Sequence, residues 1–119
     1  MLTFLKFDGL VYTVNEPELK YTPNQTAVVN FTVACNRQWT DDSNTKREES
    51  CFIDCACFNR LAEIVSVSVG KGDPLFIEGR LKQECWEKDG VKHSKHSLIL
   101  NRVIYFKPRT TKDSYTKDS

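Results

Sequence analysis

Cys51-Phe52-Ile53-Asp54-Cys55-Ala56-Cys57-Phe58 runs directly into Asn59-Arg60-Leu61-Ala62-Glu63-Ile64-Val65. The first eight residues alternate. A strand sends successive side chains to opposite faces. Cys51, Ile53, Cys55 and Cys57 then share a small apolar face, expected to meet a core. Phe52, Asp54, Ala56 and Phe58 share the other, with a ring at either end. From Leu61 the period changes: Leu61, Ile64 and Val65 fall at i, i+3 and i+4, which is helical spacing. A helix is predicted over residues 60–69, stopped by Gly70 and Gly72. A strand with two outward rings, leading straight into a short helix, orders the reading of everything else.

Toward the N-terminus, residues 26–36 read as a preceding strand. Ala27, Val29, Phe31, Val33 and Cys35 form its apolar face, and Arg37-Gln38-Trp39 ends it. Thr40 to Glu49 is polar and reads as a mobile loop. Residues 2–14 form the first strand, with a bulge or bend expected at Gly9. Asn15-Glu16-Pro17-Glu18 breaks it, and Tyr21-Thr22-Pro23-Asn24-Gln25 is a turn. Toward the C-terminus, residues 74–86 form a long strand, kinked at Gly79. Glu87-Lys88-Asp89-Gly90 carries a hairpin signal, since Asp-Gly suits a turn with positive φ. Residues 93–106 are the last strand, and Pro108 ends it. One domain over 1–107 and a short disordered polar tail over 108–119 follow. The order β-β-β-α-β-β leaves long edges unless the sheet closes. It is the order of the OB fold: an all-β, five-stranded barrel with one short helix between strands three and four.

Seven Phe, four Tyr and two Trp are more rings than a small core at 39% apolar content needs. Formal charge is nearly balanced, 17 basic against 16 acidic residues. Charge placement must therefore carry any electrostatic argument. Residues 82–109 hold Lys82, Lys88, Lys92, Lys95, Arg102, Lys107 and Arg109 against Glu84, Glu87 and Asp89. No apolar run approaches the roughly 20 residues of a membrane span. The first residues lack the features of a signal peptide. A cytoplasmic protein without membrane contact is expected. The five cysteines are odd in number and argue against a disulfide framework. Cys51, Cys55 and Cys57, with His93 and His96, match no standard zinc spacing, so the thiols are read as core. No catalytic set and no glycine-rich phosphate loop is found. No enzyme activity, metal or cofactor is expected.

The candidate function lies in rings and cations. Trp39, Phe52, Phe58 and Trp86 sit at strand ends, on the side expected to bind ligand. Each offers a flat face on which a base can stack, at about 1–3 kcal/mol per base. The other role for such rings is to fill the core or seal barrel ends. Arg37, Arg60, Lys71, Lys82, Lys88 and Lys92 are candidates to meet phosphates. Stacking tolerates either sugar, which leaves RNA open beside DNA.

Tyr21-Thr22-Pro23-Asn24, Ala27 to Ala34 and Arg37-Gln38-Trp39 resemble strand two of the bacterial single-stranded DNA-binding protein family. Phe58-Asn59-Arg60-Leu61-Ala62-Glu63 resembles its strand-to-helix junction. Lys71-Gly72, Ile77-Glu78-Gly79-Arg80-Leu81 and Trp86 resemble its fourth strand. The resemblance spans residues 17–106. It implies a barrel that wraps single-stranded DNA in replication, recombination and repair, with little sequence preference, as a homotetramer or dimer. It implies stacking at Trp39, Phe52, Phe58 and Trp86. It also implies a nucleoid-associated place in the cell. The alternative is an OB-fold interaction module of a replication-restart complex. Three departures stand out. Asp54 occupies a face position that is often basic. The spacing from Gly9 to Pro17 is longer than in relatives, within the strand that pairs subunits. The family's acidic tail tip, by which relatives recruit replication enzymes, is missing from Thr110 to Ser119: either this protein does not recruit them that way, or the sequence is shortened.

Overall fold

The computed structural model describes residues 1–106. The expected domain end at 107 and the polar tail over 108–119 lie outside them. The elements are β1 (Lys6–Thr13), β2 (Glu18–Tyr21), β3 (Ala27–Thr40), β4 (Lys46–Phe58), α1 (Asn59–Ser68), β5 (Pro74–Lys88) and β6 (Val91–Tyr105). None of the described helices is long and apolar enough to cross a membrane.

The expected five strands are six. The extra strand, β2, pairs antiparallel with β3 from Glu18↔Asn30 to Tyr21↔Ala27. At four residues with two charges, it is too short to show a period. The turn that follows it was legible: the amide of Gln25 donates to the carbonyl of Thr22 at 2.8 Å, with Gln25 at φ 68°.

The polar segment 40–49 is no loop. β3 and β4 pair without a break from Val28↔Phe58 to Thr40↔Lys46. Only Asp41–Thr45 turns. One Asp41 carboxylate oxygen accepts from the amides of Ser43 (3.0 Å) and Thr45 (2.9 Å). The other accepts from Arg47 Nε at 2.8 Å. The Arg47 contact, then the Thr45 amide, holds the Asp41 carboxyl below its ordinary range. Both faces of this outer ribbon are in water. Its sequence therefore has no reason to alternate in polarity, and it reads as a loop.

The pairings return on themselves. β1 pairs with β5, β5 with β6, and β6 runs parallel to β4 from Asp54↔Ser97 to Ala56↔Ile99. β4 pairs with β3, and β3 meets β1 at Tyr12↔Ala34 and Thr13↔Val33. The core inside is built by Val29, Phe31, Val33, Cys55, Cys57, Leu75, Ile77, Leu98 and Leu100, all buried. Burying each Val or Leu fully contributes about 1.5–3 kcal/mol. α1 lays Ala62 and Val65 onto it. Ile64, expected on that face, is 47% exposed.

The helix ends at Ser68, and Val69 is already extended, with φ −113°. The stop is therefore not a glycine cap. The turn beyond is held by Thr13, which is 1% exposed. Its hydroxyl donates to the carbonyl of Gly70 at 2.5 Å and accepts from the amide of Asp73 at 3.0 Å.

Gly9 sits in a regular ladder opposite Ile77, with no register shift. The expected bulge is absent there. The shift falls between Glu78 and Gly79 instead. A Cβ on Gly79 would lie 2.6 Å from the Ile99 carbonyl oxygen and 3.1 Å from Leu100 Cα. The two backbones approach so closely that only glycine fits.

The cysteine face divides. Cys55 and Cys57 are buried, as expected, and burial pushes their thiols up to about 12 and about 11. Cys51 and Cys35 are exposed, because they lie opposite one another where the ribbon leaves the core.

Gly79→Ala should lower stability by about 1–3 kcal/mol through forced backbone movement, read by urea denaturation. A thiol reagent at neutral pH should label Cys35, Cys51 and Cys85 in the native protein. It should reach Cys55 and Cys57 only after unfolding, which mass spectrometry of the labelled chain would resolve.

Candidate nucleic-acid interface

Residues paired directly across a ladder point to the same face. Phe52, Asp54, Ala56 and Phe58 therefore share a face with Ala34, Thr32, Asn30 and Val28. On the second hairpin, Lys82, Glu84 and Trp86 share a face with Ser97, Lys95 and His93. The parallel β4–β6 pairing joins the two into one outward surface.

A groove of about 510 Å³ runs along this surface, with Phe58, Asp54, Thr32, Lys82, Glu84 and Lys95 among its walls. Asp54 is its electrostatic centre. One carboxylate oxygen accepts from Lys95 Nζ at 2.7 Å, and the other from the Thr32 hydroxyl at 2.9 Å. The Lys95 hydrogen bond, then that of Thr32, holds the Asp54 carboxyl below its ordinary range. The same hydrogen bond raises Lys95. Glu84 stands across the ladder from Lys95 and lies 3.8 Å from Lys82. Two cations and two carboxylates thus alternate along the groove.

Phe58 is 38% exposed and Phe52 61%. Trp86, 47% exposed, lies beside the tip of the β5–β6 hairpin. Its ring stacks on His93, with centroids 5.5 Å apart and planes 18° from parallel. Lys92 lines the same recess. The tip is the Asp-Gly turn expected from sequence, with Asp89 at φ 52° and Gly90 at φ 77°. Lys88 closes the strand before it.

Trp39 and Arg37 depart from the expected arrangement. Unbroken alternation in β3 sets them on the opposite face of the ribbon from Phe52. There the Arg37 guanidinium lies over the Trp39 ring, 4.9 Å from its centroid, with Glu49 at 3.6 Å from Arg37. Arg60 is exposed in the first turn of α1, and Lys71 in the turn before β5. Neither lines the groove. Of the candidates, Phe58 and Lys82 line the groove, while Phe52 and Trp86 share its outward face without lining it, and the others lie elsewhere.

Lys95 and His93 belong to this surface; the sequence sets Lys95 in the basic stretch 82–109 and His93 beside the thiols as a metal ligand to be weighed, but neither is among the stacking or phosphate candidates. The signal was available. A two-residue turn at Asp89-Gly90 places Trp86 opposite His93 and Glu84 opposite Lys95. Among the described residues, no three His, Cys, Asp or Glu side chains gather as a metal-binding group.

Residues 12–106 match the single-strand binding protein family. The single-stranded DNA-binding protein of Aquifex aeolicus is 40% identical over 88 residues, covering 74% of this chain and 60% of its own length. That of Helicobacter pylori is 40% identical over 89 residues, covering 74% and 50%. The chain thus spans roughly half the length of these curated relatives. Among solved structures, the single-stranded DNA binding protein from Thermus aquaticus, as a deletion mutant, superposes with a TM-score of 0.75 at 30% identity. That match covers 89% of this chain and 52% of the other. A Plasmodium falciparum SSB in complex with ssDNA superposes with a TM-score of 0.82, covering 90% and 98%. At 18% identity, the latter is a likeness of fold.

Proposed function

The chain belongs to the single-strand binding protein family, and from that premise we propose that it binds and coats single-stranded DNA in replication, recombination and repair. The reading includes the closed ring of strands as a five-stranded OB barrel to which β2 is added. One observation carries it: a single outward surface joins the exposed rings of Phe52, Phe58 and Trp86 to the cations Lys82 and Lys95. Rings accept any base on their faces, and cations follow the backbone, so affinity comes with little sequence preference. Bases stack on Trp39, Phe52, Phe58 and Trp86. Phosphates meet Arg37, Arg60, Lys71, Lys82, Lys88 and Lys92. A strand that engages Trp39 and Arg37 passes around the ribbon to its far face. The protein acts by binding, without catalysis, in the cytoplasm on the nucleoid. Exposed rings on the groove surface favour this reading over a module that binds only protein partners.

The same reading includes a homo-oligomer, a tetramer or dimer. Leu2, Phe4, Leu5, Phe7 and Leu10 are all exposed. β1 pairs with β5 along Lys6–Tyr12, but reaches β3 only at Tyr12 and Thr13. An apolar strand with one edge unpaired is a template for a second chain.

Oligo-dT should quench the tryptophan fluorescence, with an affinity that falls as salt rises; no quenching, or binding indifferent to salt, overturns the reading. Trp86→Ala should cost about 1–3 kcal/mol of that binding while circular dichroism stays unchanged. Leu10→Lys should lower the assembled mass in light scattering, and a mass equal to that of the unaltered protein would remove β1 from the interface.

A further inference from the structure

Resting on the proposed single-stranded DNA binding, we propose that Lys95 is a phosphate-contacting residue whose seat is held in the free protein by the carboxylate of Asp54. Three observations support it. Asp54 and Lys95 come from different hairpins and meet at 2.7 Å in the middle of the groove. Both side chains remain close to half exposed, 44% and 48%, so an incoming anion can reach the contact. Asp54 is anchored from behind by the Thr32 hydroxyl at 2.9 Å, so its carboxylate is fixed while the flexible Lys95 ammonium can swing away.

A carboxylate and a phosphate oxygen make the same charge-assisted contact with an ammonium. Exposed ion pairs are weak, so their exchange for a phosphate is close to balanced. Asp54 therefore sets the strength of this contact without touching DNA itself. It competes for Lys95 in the free protein, and an incoming phosphate must displace it. Glu84, across the ladder from Lys95 and beside Lys82, is placed to do the same more weakly, at 3.8 Å from Lys82. This accounts for a carboxylate at the centre of a surface otherwise built to attract phosphates.

The experiment is a salt series of oligo-dT binding, followed by tryptophan quenching, on four proteins: unaltered, Asp54→Asn, Lys95→Gln and the double variant. Asn keeps the shape and can still accept from Thr32. Asp54→Asn should tighten binding several-fold at low salt. The slope of log K on log salt should steepen by up to about 0.7, the increment for one phosphate on a single strand. Lys95→Gln alone should weaken binding at low salt. In the double variant the gain from Asp54→Asn should disappear. A gain that persists without Lys95 would show only that a negative charge had been removed, and would overturn the assignment. So would unchanged binding in Asp54→Asn, or in Lys95→Gln should Asp54→Asn fail to fold by thermal melting. If the unaltered protein shows no binding at all, the DNA-binding reading itself fails, a result distinct from any of these.

Discussion

The unbroken register between β3 and β4 is the constraint on which the rest depends. From Val28↔Phe58 to Thr40↔Lys46 each residue has one partner and one face. A slip of one residue would exchange the faces throughout. Asp54 would enter the core, and Cys55 and Cys57 would leave it. Burying that carboxylate without a partner is costly enough to exclude the alternative. The register is thus pinned by core chemistry at one end of the ladder only. Beyond Cys35 and Cys51 both faces meet water, and the ribbon continues on backbone hydrogen bonds, closed by Asp41 at its tip. Core packing at one end decides where Phe52 points and, equally, that Trp39 points the other way.

What could be read in the sequence, and what could not, divides along the same line. Where a face is buried, alternation shows it: Ala27 to Val33 and Ile53 to Cys57 were legible. The Asp89-Gly90 turn was legible because positive φ at both positions selects those residues. The outer ribbon, Lys46 to Ser50 above all, was illegible because neither face is buried there and no period is imposed. β2 was missed for its length. Gly79 was read correctly as the irregular position, and Gly9 was not. A glycine in a strand signals that a Cβ is unnecessary. Whether it is also forbidden depends on the Ile99 backbone opposite, which no local pattern reveals.

The groove shows why a near-neutral composition is a poor guide to a binding surface. Lys82 and Lys95 lie where the surface would attract a phosphate backbone, yet each has a carboxylate beside it. The sum of charges is close to zero, while the arrangement is specific. Exposed ion pairs contribute little to stability, on the order of 0–1 kcal/mol each. The alternating charges are therefore not needed to hold the hairpins together; the ladders do that. Their cheapness matters for function, because partners bound weakly to each other can be exchanged for a ligand. On the proposed function, the free protein carries its counter-ions covalently, and DNA displaces those as well as mobile salt.

The rings complete that argument. A tryptophan at the tip of a mobile arm would lose much of its stacking energy to the cost of ordering it. Here Trp86 already lies against His93, and Trp39 beneath Arg37. Each has one face occupied by a protein partner, which limits its rotamers before any ligand arrives. The hairpins beneath them are paired to within a residue of their turns, Lys88↔Val91 and Thr40↔Lys46. Hairpins paired up to their turns, with rings already resting on a protein partner, present a platform part of whose ordering cost is met by folding. A base stacked on such a platform keeps most of its contact energy. A flexible single strand can reach separated platforms where a duplex, with its bases already stacked, cannot. On the proposed function, a preference for single strands would follow from where the rings are held, with no residue needed to read a base edge.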